Sequence, residues 1–200
     1  GKPTFNTTTY RYGKSISDGL RGVALGPNVR EIARTVMTES GPVISRRIER
    51  YDNAPNYDAA LGAYPLAGTL RSETTLVMGG KDEPIHITHS GYRYAGKAGV
   101  KPGTWRRELT DTTASTYEIG EDADPGIAKA LLACLPAVFD GEMECTLGQD
   151  ESYHPLTHTA QTIAYDDYGY ATTEVSTSAG ATTVSERKLK HQDTLKGYVL

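Results

Sequence analysis

The sequence predicts an α+β fold, mainly antiparallel β-sheet with one or two short helices. Three observations predict it. Stretches rich in Thr, Tyr and Val alternate in character and are punctuated by Gly, Pro, Asn and Asp. Tyr outnumbers Phe thirteen to two, which suits strands with one wet face or an edge to offer a neighbour. One stretch alone, near 124–139, carries apolar residues at a convincing helical spacing.

Taken in order, residues 4–12 (TFNTTTYRY) read as a first strand or extended arm, and 13–28, rich in Gly, Ser and Pro, as loop. Residues 29–37 (VREIARTVM) fit two templates. Val29, Ile32, Ala33 and Val36 form a helical stripe with Asn28 as cap, and Ile32, Arg34 and Val36 equally alternate as a strand. Strands follow at 43–51, 67–78, 84–95 and 104–119, separated by a loop at 52–65, the turn signal Gly79-Gly80-Lys81-Asp82 and the Gly-rich stretch 96–103. In the helical segment Asp124 caps and Pro125 takes the first position; Ile127, Leu131, Cys134, Leu135 and Val138 share a face, and Pro136 kinks or stops the helix. Residues 157–178 read as a hairpin turning at 166–169, and 179–184 as a further strand or linker. This divides the chain into a β-rich core with a helix, 1–148, and a C-terminal β extension or assembly arm, 149–200. The latter is too polar to bury a core alone.

Charge is uneven. Residues 1–110 hold 16 Lys/Arg against 10 Asp/Glu, a net +6, and residues 111–200 hold 5 against 15, a net −10. Such asymmetry suits a polyanion, head-to-tail contact between subunits, or solubility. No apolar run approaches ~20 residues, and the first ten residues lack the basic start and apolar stretch of a secretory leader, so no membrane partner is expected. Cys134 and Cys145 fit neither a metal knuckle nor a disulfide framework.

No enzymatic role and no cofactor are expected. The chain contains no phosphate loop, dinucleotide fingerprint, zincin motif or nucleophile elbow; Gly79-Gly80-Lys81 is followed by Asp82 and Glu83 where a hydroxyl and a helix belong. His86 and His89, three apart on a strand, point to opposite faces and make poor co-ligands. His154 and His158, with Cys145, Asp150 or Glu151, could compose a metal site; loop histidines are the plainer account. Arginines offer more. Arg46, Arg47 and Arg50 share one strand, and Arg71, Arg93, Arg106 and Arg107 lie on or beside the next ones. Neighbouring strands could gather some into a basic face, with Tyr92, Tyr94 or Trp105 for base stacking. Alternation sets Arg47 against Arg46 and Arg50. Solvated surface charge is the competing account.

The order of elements resembles the coat proteins of single-stranded RNA bacteriophages. In that family an N-terminal hairpin precedes a five-stranded antiparallel sheet and C-terminal helices that clasp a second subunit. VISRRIERY (43–51), AGTLRSETTLVM (67–78), 84–95 and 104–119 would be sheet strands, DADPGIAKALLACLPAVF (122–139) the helical segment, and LRGVALGPNV (20–29) is similar to the loop after the hairpin. The resemblance spans 1–145 and rests on pattern. The chain departs from it in its length, in Pro136 and in the residues after 145. It implies a virion structural protein that self-assembles as a homo-oligomer, with Ile127, Leu131 and Leu135 at an assembly interface. Single-stranded RNA would lie on Arg46, Arg47, Arg50, Arg71, Arg93, Arg106 and Arg107. The alternatives are a phage tail component or surface adhesin without nucleic acid and, further off, a metal-dependent hydrolase.

Overall fold

The structure, a computed structural model, describes residues 6–38, 41–79, 84–119, 156–187, 189–191 and 196–199. Within them the chain is all-β, not α+β, and no helix occurs. The helix expected at 124–139, with Ile127, Leu131 and Leu135, lies outside the described residues, as do Cys134 and Cys145.

Nine strands form one antiparallel sheet: β1 (Asn6–Tyr12), β4 (Val29–Thr38), β5 (Gly41–Asp52), β6 (Thr69–Met78), β7 (Pro84–Ala98), β8 (Trp105–Glu118), β9 (Thr157–Tyr165), β10 (Ala171–Ser178) and β11 (Ala181–Glu186), in that spatial order. Between β1 and β4 the Gly-rich stretch read as loop is a small hairpin, β2 (Ser15–Asp18) with β3 (Val23–Pro27). A second small pair joins β12 (Leu189–His191) to β13 (Lys196–Val199).

Segment 29–37 settles as strand because it has partners on both sides: Ile32 pairs with Tyr10 of β1 and Arg47 of β5. Two flanking ladders satisfy its backbone and offset what a lone helix would gain from its apolar stripe. The C-terminal strands join the same sheet, β9 pairing with β8 from Asp111↔Thr162 to Thr116↔Thr157. Ala179 and Gly180, both at positive φ, make the two-residue turn between β10 and β11. Such turns match the right-handed twist of the strands they join.

The core sits on one face. Leu76 pairs with Ile87, Ile87 with Tyr117 and Ile44 with Met78, and period-2 alternation adds Ile48 and Val29. Those six residues (Val29, Ile48, Leu76, Met78, Ile87 and Tyr117) are the buried hydrophobics among the described residues. The opposite face is polar and centres on buried Glu49, which accepts from Arg30 Nε at 2.6 Å and from the Tyr51 hydroxyl at 2.5 Å. Arg47 lies 3.0 Å from the same carboxylate and 2.5 Å from Glu73.

Candidate binding cleft and sheet edges

β6 and β7 are paired only from Met78↔Pro84 to Ser72↔Gly91. Beyond that point β6 stays with β5 as far as Asp52↔Thr69, while β7 stays with β8 as far as Ala98↔Trp105. The two strands therefore fork. The loop 53–68 fills the wide end. Pro65 presses on β7 so closely that a Cβ at Gly96 would lie 2.5 Å from the Pro65 Cβ. Arg107 fastens the loop by donating from Nε to Pro65 O at 2.8 Å and from Nη2 to Ala67 O at 3.0 Å. Asp18 ties the β2–β3 hairpin to the same loop, accepting the Tyr64 hydroxyl at 2.5 Å and a guanidinium hydrogen bond from Arg21 at 3.0 Å. Arg21 also stacks over Tyr57, 4.0 Å from its ring centroid.

The narrow end of the fork is a cleft of about 550 Å³. Arg50, Arg71, Arg93, Asp52, Asp111 and His89 supply its ionisable lining, with Tyr92, Tyr94, Ser72, Thr112 and Thr113 among the rest. Gly91 stands at the branch point, where a Cβ would come 2.8 Å from Thr113 Oγ1. Bulges at Arg50/Tyr51 and Arg93/Tyr94 re-aim the side chains there. Arg50 is buried and donates to Ser72 Oγ at 3.1 Å; Arg93 is 80% exposed at the side chain, its Nη1 3.8 Å from Asp111. Burial, and secondly the Arg50 charge, push the His89 imidazole below its usual range, so it is neutral at ordinary pH. Its Nδ1 is 2.9 Å from Thr74 Oγ1.

The seven arginines singled out from the sequence do not gather on one face. Arg46 and Arg50 share the core face with Ile48, and Arg47 takes the other. Arg46 stands 3.9 Å from Glu31; Arg47 bridges Glu49 and Glu73; Arg106 pairs with Glu108 at 2.7 Å and grips the β9–β10 turn through Asp166 O and Asp167 O. Arg107 is spent on the loop carbonyls and also lies 5.8 Å from the Trp105 ring centroid. Arg50, Arg71 and Arg93 alone of the seven line the cleft; Tyr92 and Tyr94, two of the three aromatics named for stacking, line it too, but alternation along β7 sets their rings opposite Arg93. His86 is paired with Glu118 at 2.6 Å on the polar face. His158 Nδ1 is 2.8 Å from Ser115 Oγ across β8 and β9; His154, Cys145, Asp150 and Glu151 lie outside the described residues.

The sheet edges are the second feature that sequence reasoning did not locate. Every residue of β1 and of β11 is exposed, Tyr10 and Tyr12 at 56% and 61%. Among the described residues β1 pairs only with β4, and β11 only with β10. No protein-family model matches the chain, and no curated protein matches it.

Proposed function

We propose that this protein is a structural subunit of a viral shell that assembles with copies of itself by pairing the open edges of its sheet. The supporting observation is the nine-strand meander that ends in two strands, NTTTYRY and ATTVSE, whose every residue is exposed and each of which has one strand partner among the described residues. An exposed edge presents a row of backbone donors and acceptors that templates another strand, and monomeric proteins blunt such edges with bulges, prolines or charge. β11 has no bulge against β10, no proline, and one charge, Glu186 at its end.

Parity selects the joint. In an antiparallel sheet of nine strands the first and the ninth run the same way. Head-to-tail joining of β11 to β1 of the next copy would require a parallel ladder. A two-fold axis through one edge joins β11 to β11, or β1 to β1, in the slightly more stable antiparallel pattern, and keeps the core faces on one side. Two such edges give each subunit two neighbours and so build a row or a ring of subunits; closing a shell takes a further contact between rows. RNA enters this reading only in part. Five of the seven arginines, Arg46, Arg47, Arg93, Arg106 and Arg107, stand against carboxylates or carbonyls, so self-assembly is the function proposed.

The test is electron microscopy and sedimentation of the purified protein beside Thr182→Pro. Ser178 and Ala181 flank the two-residue turn and face each other as a hydrogen-bonded pair, so the N–H of Thr182 points outward from the sheet. Proline there removes an assembly donor without touching the β10 ladder. Particles in the wild type that disperse in the variant support the reading; a wild-type monomer at high concentration removes it. Nucleic-acid content of the same particles measures the RNA contact.

A further inference from the structure

We propose that the cleft at the β6–β7 fork binds an acidic sugar, a hydroxyl-rich ring bearing one carboxylate. The inference goes beyond shell assembly and does not depend on it, since the cleft lies amid the sheet and away from both edges.

Charge decides the class of ligand. Three guanidiniums, Arg50, Arg71 and Arg93, face two carboxylates, Asp52 and Asp111; with His89 neutral the lining carries a net +1. A single anion balances that. A phosphodiester chain would set successive charges against Asp52 and Asp111. Carboxylates and guanidiniums side by side suit a ligand that both donates and accepts. Sugar hydroxyls donate to Asp52 and Asp111 and accept from the arginines and from Thr113, and the sugar carboxylate takes an arginine in two-pronged fashion. The volume, about 550 Å³, lies within the range of small-molecule sites, roughly 300–1,000 Å³. Gly91 keeps the branch point open, since any side chain there would collide with Thr113.

The experiment is a titration of the purified full chain, followed by calorimetry and by amide chemical shifts, with four probes: glucuronic acid, glucose, a glucuronate-containing tetrasaccharide and a tetrauridylate. The expected result is binding of glucuronic acid at least tenfold tighter than glucose, with shifts at Ser72, Gly91 and Thr113. Tighter binding of the tetrasaccharide than of glucuronic acid assigns the site to a glycan chain; equal binding assigns it to the single sugar. Arg93→Glu and, independently, Thr113→Val should each weaken binding tenfold or more while far-UV circular dichroism and the urea midpoint show a folded protein. If either variant is unfolded, Arg71→Gln on the exposed rim gives the same readout. Equal affinity for glucose and glucuronic acid, binding unaltered in the folded variants, preference for the tetrauridylate, or no binding of any probe at millimolar concentration would each overturn the proposal.

Discussion

Glu49→Gln isolates the polar face of the sheet. Glu49 is 2% exposed and serves three partners at once: Arg30, Arg47 and Tyr51. Burial alone would raise its pKa; the Tyr51 hydroxyl, then the Arg30 hydrogen bond and the Arg30 and Arg47 charges, outweigh burial and hold it below the ordinary carboxylate range. Removing one partner of a buried pair costs about 3–5 kcal/mol where the other charge is stranded. Here the stranding is incomplete. Arg47 retains Glu73, the Arg30 side chain is 35% exposed and can turn to water, and glutamine keeps one acceptor oxygen. The expected loss is therefore about 2–3 kcal/mol at neutral pH, near the worth of one hydrogen bond to a charged group. A depressed carboxylate contributes stability that is present above its unfolded value of 4.5 and lost as pH falls through the folded one. The gap between wild type and variant in urea unfolding should thus be full near pH 7 and shrink steadily below pH 4.5. Tyr51 titrates in the opposite sense. Burial first and Glu49 second push its hydroxyl up to about 12, so its contribution persists below 10.0 and fades as pH rises toward 12. A loss under about 0.5 kcal/mol, a surface-substitution value, or a loss that is the same near pH 7 and pH 3, would refute the account of this cluster.

Leu76→Ala empties the centre of the core face, where the side chain is 0% exposed between Arg46 and Ile87; thermal or urea unfolding should show a loss of about 2–5 kcal/mol. Asp18→Asn removes the charge that holds Arg21 and the Tyr64 hydroxyl, so amide exchange across 15–27 should speed up while that of β6 to β8 is unchanged. Gly91→Ala should destabilise the sheet, because the new methyl meets Thr113 Oγ1, and the Gly91→Ala/Thr113→Ala double variant should recover part of that loss in the same unfolding assay.

Much of the sheet was legible because alternation and turn residues agree locally. VISRRIERY, AGTLRSETTLVM, 84–95, 104–119 and the 157–178 hairpin all fall within or across observed strands. The β2–β3 hairpin was not legible, since strands of four and five residues in a Gly- and Ser-rich stretch carry too few alternations to show a period. Segment 29–37 was undecidable locally: Val29, Ile32, Ala33 and Val36 satisfy a helical stripe as well as a strand, and only β1 and β5, distant in sequence, choose between them. The expectation of α+β fails among the described residues for that reason.

The candidate site was less legible than the fold. Strand alternation alone separates Arg47 from Arg46 and Arg50. The partners that occupy Arg46, Arg47 and Arg106, namely Glu31, Glu49, Glu73 and Glu108, are fixed by cross-strand register or a two-residue spacing, and a slip of one residue would reassign the cross-strand ones. The cleft depends on where β6 and β7 part and on two bulges. Its one signal in the sequence is Gly91 inside an otherwise continuous strand, a residue that often marks close approach of another chain segment.

Distances between like positions on β11 of neighbouring subunits test the edge-pairing claim most directly. Spin labels placed singly at 181, 183 and 185, in an assembling Cys134→Ser/Cys145→Ser background, report those distances by pulsed electron resonance. An antiparallel joint about a two-fold axis predicts short separations that change by about 7 Å per residue along the strand, twice the rise per residue. Head-to-tail joining instead sets like positions a whole nine-strand sheet apart, about 43 Å at ~4.8 Å per strand, and nearly the same at all three sites. The first pattern is the one this account predicts; a constant long distance would contradict it.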